Sequence, residues 1–272
     1  GNVCDLDSIL AIGKKRGIPV IEDCSHAHGA KYRGRMCGSI GDAGCWSLQG
    51  SKAVSAGEGG VLATDEVELF ERACLCSQVN RVEGIDLVTP TYQEHQPLGL
   101  GMKFRAHPLA IGIAKVQLAK LGGLNERRRA YIEEVEAGLA DIPGLRPIKV
   151  DAGAERAGFY GFPVIHEPDA MNGMPTREFV EVLNRAGLNA SLTPYPNLHQ
   201  LPLFAKGFDL FTRNRGPLCG GEGYFGYKTG DFPQAELAAQ RTVFLPRLSD
   251  PIPEAASIVL DTIRKAVKPG PR

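Results

Sequence analysis

The arrangement that most limits the fold of this chain is a helix followed at once by a short buried strand. Residues 5–16 place apolar side chains at Leu6, Ile9, Leu10 and Ile12, and Gly17 follows as a stop, so the spacing predicts an amphipathic helix. Pro19-Val-Ile-Glu-Asp23 then reads as a strand. A helix joined to a strand by so brief a connection is the repeating unit of a parallel α/β sheet. Asp23 therefore falls at the carboxyl end of its strand, the edge at which open α/β sheets bind ligands because their loops converge there on a crevice.

The same reading carries along the chain. Residues 31–35 form a tight reversal around Gly34, residues 45–48 are the next strand, and residues 61–64 are another that leads into a helix over about 65–76. Residues 78–100 have no clean period and contain Pro90 and Pro97, which predicts a long excursion of the functional or inter-subunit kind. From His107 to about Leu139 the period is helical, with Gly122-Gly123 as an interruption, so two helices joined by a kink are expected to bridge two domains. After Pro143-Gly144 the pattern becomes that of a smaller α+β unit. Strands are expected at 158–165, 188–192 and 242–245, helices at 176–186 and 255–266, and a glycine-rich loop at 216–230. The division expected is a large domain over 1–140, including the bridging helices, and a small C-terminal α+β domain over 141–272.

A hydrophobic fraction of 43% over 272 residues is ample for a sizeable core. Thirty-one basic residues balance thirty-one acidic ones, so no long-range field favours nucleic acid, an anionic membrane or a polyacidic partner. No apolar run reaches the roughly 18 residues of a membrane span. The seven cysteines are odd in number and scattered through apolar sequence without a hydrophobic leader, which points to a reduced, cytoplasmic protein. Cys74 and Cys76 are too close for a CxxC pair and have no second ligand pair, so they are read as helix-packed thiols and no metal is expected. Gly1 is compatible with a start after methionine removal, and equally with a processed or truncated beginning.

The densest chemical signal is Trp46-Ser-Leu-Gln-Gly-Ser-Lys52-Ala-Val-Ser-Ala-Gly-Glu-Gly-Gly60. A lysine just past a buried strand, among small residues that let a bulky ligand approach, suits an amine that must be partly desolvated to act as a nucleophile. Taken alone, Lys52 reads first as a solvated surface lysine and only then as a phosphate contact, and Glu22-Asp23 as a capping or solvated acid pair. Together, a carboxylate at one strand end and a lysine at a later one are the two protein groups that pyridoxal 5'-phosphate (PLP) chemistry requires. The lysine holds the aldehyde as a Schiff base, and the carboxylate keeps the pyridine nitrogen protonated.

Val20-Ile-Glu-Asp-Cys-Ser-His-Ala-His-Gly-Ala30, Tyr32-Arg-Gly-Arg35, Trp46-Ser-Leu-Gln-Gly-Ser-Lys52 and Gly57-Glu-Gly-Gly60 resemble, in order and spacing, the DegT/DnrJ/EryC1/StrS sugar aminotransferases. The resemblance runs nearly from Gly1, through Leu124-Asn-Glu-Arg-Arg-Arg129, to Phe244-Leu-Pro246. It implies PLP fold type I, an α/β fold with a mostly parallel main sheet flanked by helices and a smaller C-terminal α+β domain. It makes Lys52 the cofactor-bearing lysine and proton shuttle, Asp23 the pyridinium partner, His26 the neighbour of the cofactor ring and its phenolic oxygen, and Ser47 a phosphate ligand. Without it, His26 reads as a satisfied structural histidine and Ser47 as a backbone-bonded strand serine. The family's Gly-x-Asn-Tyr-Arg segment appears as Gly101-Met-Lys-Phe-Arg105. Lys103 thus replaces an asparagine that often reaches a neighbouring subunit's cofactor phosphate; it serves there as a point charge, marks a different substrate group, or is a solvated lysine.

The activity implied is transfer of an amino group from glutamate or glutamine to a keto sugar, often nucleotide-linked, or to a keto cyclitol. The resemblance also implies active sites between subunits, hence a dimer. Family members carry a long segment ahead of the position of Gly1, with the first strands of the main sheet, a Gly-Ser or Gly-Thr turn on the cofactor phosphate and an aromatic residue on the ring. The expectation is that a companion chain supplies it, through a split gene or a nicked precursor, and that this chain alone is not a competent monomer. Two rivals stand beside this reading. One is a keto-sugar dehydratase, whose relatives resemble this family but carry histidine at the position of Lys52. The other is a non-catalytic subunit or degenerate remnant that stabilises an active relative.

Overall fold

The computed structural model describes residues 1–78, 82–209, 212, 213, 215, 216, 219 and 224–267. In chain order the helices and strands are α1 (Leu6–Arg16), β1 (Ile21–Asp23), β2 (Lys31–Tyr32), β3 (Arg35–Met36), β4 (Ala43–Ser47), β5 (Gly60–Ala63), α2 (Val67–Ser77), α3 (Pro90–Gln93), α4 (Pro108–Gly138), β6 (Leu145–Pro147), β7 (Ala154–Glu155), β8 (Pro163–His166), α5 (Thr176–Arg185), β9 (Ser191–Leu192), α6 (Pro202–Lys206), α7 (Pro233–Arg241), β10 (Thr242–Phe244) and α8 (Ala255–Val267). They fall into two compact units. The first holds residues 1–130, 149–160 and 248–251, and the second the described residues of 131–148, 161–247 and 252–272.

In the first unit α1 begins at Asp5, whose carboxylate accepts from the Ser8 N–H at 3.2 Å, and ends on Gly17 in the left-handed conformation. After this stop β1 pairs in parallel with β4, Ile21 beside Ala43 and Asp23 beside Cys45, while β5 pairs antiparallel with β4, Ser47 beside Gly60. An antiparallel strand added to parallel strands is common in α/β sheets. Both β1 and β5 are outer strands, and Ile18, Ile21, Val61 and Leu62 are exposed. Leu6, Cys24, Ala30, Tyr32, Cys37 and Ile40 form the core on which α1 rests, with Ile9 and Ile12 of the same helix exposed. A second sheet, ordered β3-β2-β7, joins the hairpin at residues 31–36 to the later segment at 154–155.

The parallel pair is fixed by a buried carboxylate that sequence reading passed over. Glu22 accepts from the backbone N–H groups of Gly38, Ile40 and Gly41, each at 2.7 Å. Turn 38–41 can reach it only because the turn lies flat against β4. A Cβ on Gly44 would stand 2.2 Å from the Gly38 carbonyl oxygen, and one on Gly38 would enter the Trp46 ring.

Two stretches differ from the sequence expectation in ways the packing explains. Of the excursion at 78–100, residues 79–81 lie outside the described residues, and the rest folds back on α2. The buried Glu71 accepts from the N–H groups of Val88 and Thr89, Tyr92 donates to Glu68 at 2.8 Å, and Gln96 donates to the carbonyls of Val82 and Ile85. The kink expected at Gly122-Gly123 is absent, and α4 is one continuous helix of 31 residues. Two glycines cost a helix about 1 kcal/mol each. The neighbours Leu121 and Asn125 are buried, and Arg127, Arg128 and Arg129 bond to Asp250 and to the carbonyls of Ser249 and Arg156, so tertiary contacts keep the helix continuous through the weak point.

In the second unit β6, β8, β10 and β9 form an antiparallel sheet in that order. Its core holds Phe162, Val164, Phe179, Leu183, Val243 and Ile263, and the buried His166 bonds to Thr176 at 3.0 Å while stacking on Phe179. Of the glycine-rich loop expected at 216–230, residues 217, 218 and 220–223 lie outside the described residues. No helix among the described residues is long and apolar enough to cross a membrane.

Hydrogen bonds to a charged group contribute about 1.5–3 kcal/mol each, and removing their acceptor leaves buried donors unpaired. We expect Glu22→Ala to destabilise the protein by at least about 3 kcal/mol, and Glu22→Gln, which keeps one acceptor, by less. Urea unfolding of the purified protein measures both; a Glu22→Ala midpoint equal to the wild type's would show that the nest is not what holds turn 38–41.

Candidate active site

The carboxyl ends of β1 and β4 deliver the residues singled out by sequence to one place. Asp23 closes β1, and its carboxylate accepts from the Ser25 N–H at 3.0 Å. Hydrogen bonding by Ser25, its side chain first and then its backbone N–H, lowers the Asp23 pKa more than the nearby charges of His26 and Lys52 do, so it stays ionised. Two residues past the Asp23–Cys45 register, Ser47 ends β4, and its hydroxyl accepts from the Gln49 N–H at 3.2 Å. Gln49 in turn bonds through its carbonyl to the Lys52 N–H at 2.9 Å and through its side chain to Ser51. The loop is pinned at both ends by bonds between Leu48 and Gly59 and between Ala56 and Leu48, and Val54 and Ala56 pack with Leu48 and Leu121. Lys52 therefore projects from a short loop with an apolar footing, as an amine on a rigid base should.

The Lys52 Nζ lies 2.7 Å from His26 Nε2. Burial, followed by the Lys52 charge, pushes the His26 pKa below its ordinary value, so at neutral pH the imidazole is uncharged and Nε2 offers a lone pair to the amine. One face of the His26 ring is covered by Tyr160, stacked at 3.8 Å and 6°, and the Lys52 Nζ stands 4.2 Å from the centre of the same tyrosine ring. The arrangement brings together an ionised carboxylate, a neutral imidazole and a primary amine at one sheet edge. Chemically these groups can hold a cationic nitrogen heterocycle, bond a carbonyl carbon and move a proton.

Lys103 is placed differently. It pairs through its backbone with Gln78 after α2, its side chain is exposed, and among the described residues no hydrogen bond or ion pair links it to Asp23, His26, Ser47 or Lys52. Sequence reading also missed two contributors. Tyr160 lies more than a hundred residues beyond Lys52, and its only local sign is the pair of glycines that flank Phe159-Tyr160. Asn125 sits inside α4, where it is buried; its side chain donates to the His28 carbonyl at 2.9 Å and accepts from the Gly158 N–H at 3.1 Å. It thereby ties the turn that bears His26 to the segment that bears Tyr160. Beside the site, His28 is buried with neither ring nitrogen hydrogen-bonded. It lines an apolar cavity of about 610 Å³ between Trp46, Val54 and Val61 on one side and Ile111, Ala114 and Leu118 of α4 on the other.

The sequence profile of the DegT/DnrJ/EryC1/StrS aminotransferase family matches residues 1–215. The L-glutamine:2-deoxy-scyllo-inosose aminotransferase of Streptoalloteichus tenebrarius is 34% identical over 206 residues, 75% of this chain and 48% of that protein. The chain thus spans about half the length of curated relatives it matches. The crystal structure of DesV from S. venezuelae in complex with a ketimine intermediate is 25% identical and superposes with a TM-score of 0.75 over 99% of this chain and 63% of that one. The GDP-4-keto-6-deoxy-D-mannose-3-dehydratase of E. coli, solved with bound hydrated PLP, has a TM-score of 0.72 at 22% identity over 98% of this chain and 65% of that one, a likeness of fold alone. These likenesses bear out the expected family and the expected fold, PLP fold type I.

His26, His28 and His166 all have pKa values lowered by burial from the ordinary 6.5. The unfolded chain takes up protons on them as pH falls through about 6.5 and the folded chain does not, so stability is full above that pH and declines below it. We expect the urea midpoint to fall between about pH 7.5 and pH 5.5, with His166→Gln flattening the slope, as equilibrium unfolding across that range would record. An unchanged midpoint would mean that the three rings are protonated in the folded state as readily as in the unfolded one.

Proposed function

The chain belongs to the DegT/DnrJ/EryC1/StrS aminotransferase family, and from that premise we propose that it carries the lysine-bearing part of a PLP-dependent aminotransferase site, with Lys52 as the residue that bonds the cofactor. One observation carries this reading: the Lys52 amine lies 2.7 Å from an uncharged imidazole at the sheet end where Asp23 stays ionised. The donor set suits PLP, since an amine, a carboxylate for a pyridinium nitrogen, an imidazole and a hydroxyl match its aldehyde, ring nitrogen, phenolic oxygen and phosphate. When bound, PLP supplies an aldehyde that condenses with amines and a ring that takes up the electron pair left when a substrate C–H bond breaks.

The protein's own share is binding and proton movement. The Asp23 carboxylate would hold the protonated ring nitrogen, and the Ser47 hydroxyl with its neighbouring backbone would hold phosphate. As a free amine, the Lys52 Nζ would carry the proton that leaves the donor's α-carbon and the one delivered to the acceptor's carbon, with His26 Nε2 beside it to accept a hydrogen bond and keep the amine aimed. Lys103 contributes a point charge toward a phosphate in a neighbouring subunit's site, for which its exposed place beside α2 leaves it free.

The substrates in this reading are glutamate or glutamine as donor and a keto cyclitol or keto sugar as acceptor, supported by the glutamine:keto-cyclitol aminotransferase at 34% identity. The keto-sugar dehydratase reading is disfavoured because its relatives carry histidine where Lys52 stands. Assembly is the other part. The exposed Ile18, Ile21, Val61 and Leu62 on the outer strands, with the apolar cavity above α4, favour cover by further polypeptide. We assign that cover to the family's remaining main-domain segment, in a dimer of completed units. Seven free thiols, with burial pushing Cys24 up to about 12 and Cys37 to about 11, suit a cytoplasmic setting.

The test uses the protein isolated from its own source with whatever accompanies it. We expect a visible absorption band that borohydride removes, with the reduced adduct mapping by peptide mass to Lys52. Lys52→Ala is expected to lower amino transfer from glutamine or glutamate at least about a hundredfold. A protein without the band after PLP is added, or a Lys52→Ala assembly with full activity, would leave the non-catalytic subunit as the better reading.

A further inference from the structure

Tyr160 has no assigned role, yet three features converge on it. Its ring stacks on His26 with centroids 3.8 Å apart and planes 6° from parallel, the Lys52 Nζ stands 4.2 Å from its centre, and the Ser51 hydroxyl is 3.5 Å from its own. An aromatic face attracts a cation placed over it, and a parallel ring fixes the orientation of the ring beneath. One side chain thus touches both the amine and the imidazole that the proposed chemistry uses.

The backbone that presents Tyr160 is held in an unusual shape. Gly158 has φ +80°, and a Cβ there would stand 2.8 Å from the His28 nitrogen. Phe159, a bulky residue, is also in the left-handed region at φ +40° and is buried. Such a conformation is strained for a non-glycine residue and persists only where the surroundings over-determine it. Here they do so through Asn125, which bonds to the Gly158 N–H and the His28 carbonyl at once. The backbone strain and the Asn125 bridge both serve to bring residue 160 over residue 26.

We propose that Tyr160 is a positioning residue for the aminotransferase reaction: its ring covers one face of the His26 imidazole and holds it in the plane where Nε2 meets the Lys52 amine. The proposal rests on the reading of Lys52 given above. The charged and titratable groups that face His26 are Lys52, the Gly1 amine, Asp23 and His28. Of these, Lys52, the amine and His28 lower its basicity and the Asp23 carboxylate raises it, while the leading cause is desolvation, to which the Tyr160 ring stacked on one face adds.

The experiment places Tyr160→Ala and Tyr160→Phe in the full gene and follows steady-state amino transfer by the assembled, PLP-loaded protein across pH. For Tyr160→Ala we expect kcat about tenfold lower with the donor KM within about twofold, and the acid limb of the kcat profile moved up toward the ordinary histidine value, since the ring over one face of the imidazole is gone. Tyr160→Phe keeps the face and is expected to restore both. A Tyr160→Ala protein with wild-type kcat and acid limb, or a Tyr160→Phe protein as impaired as Tyr160→Ala, overturns the role. Should Tyr160→Ala fail to fold, Tyr160→Leu is compared in the wild-type and His26→Asn backgrounds. A loss seen only where His26 is present supports the role, and an equal loss in both overturns it. A wild-type protein that shows no band trapped on Lys52 fails the aminotransferase reading itself, whereas a normal band with unchanged Tyr160 variants fails only the inference about Tyr160.

Discussion

The buried carboxylate of Glu22 is the contact on which the first unit depends. It draws the N–H groups of Gly38, Ile40 and Gly41 onto β1, and that fixes how β1 lies beside β4. A carboxylate taken out of water is tolerated only when its oxygens are satisfied, and here oriented backbone donors satisfy them without a cationic partner. Because Glu22 faces inward, its neighbour Asp23 must face the opposite side of the strand, where it is exposed at the sheet edge. Structure and chemistry are thus assigned to adjacent acids by the alternation of a strand.

The carboxyl ends of two adjacent strands then bring Asp23 and Ser47 together, and the loop after β4 adds Lys52. That loop is short, internally hydrogen-bonded and seated on apolar contacts with α4. Its glycines and serines leave space above the lysine, and its bonds keep the lysine from wandering. Preorganisation of this kind is what lets a flexible four-carbon side chain act as a defined amine. The continuous course of α4 matters for the same reason, since Leu121 supports the lysine loop and Asn125, one turn later, supports the histidine turn.

The apolar surface of the first unit has a different meaning from that of the second. In the second unit the four-stranded sheet and its helices bury Phe179, Leu183, Val243 and Ile263 almost completely. In the first, apolar residues on both outer strands and along α4 stay exposed beside a cavity that holds an unpartnered histidine. The proposed cover by further polypeptide would fall on these residues.

The sequence by itself determined the helix–strand unit at residues 5–23, the strands around Trp46 and Val61, the hairpin near Gly34 and the small α+β unit, because each is set by local period and by a glycine or proline stop. It also singled out Asp23 and Lys52, since strand ends are legible wherever strands are. What it could not determine was anything carried by contacts distant along the chain. Gly122 and Gly123 look like a break until Arg127, Arg128 and Arg129 find their carbonyl and carboxylate partners, and residues 82–100 look irregular until Glu71 gathers their N–H groups. Glu22 and Asp23 look alike until burial separates them. Tyr160 joins His26 and Lys52 only through a tertiary route that runs by way of Asn125 and a strained turn, and no spacing in the sequence encodes a meeting that packing alone enforces.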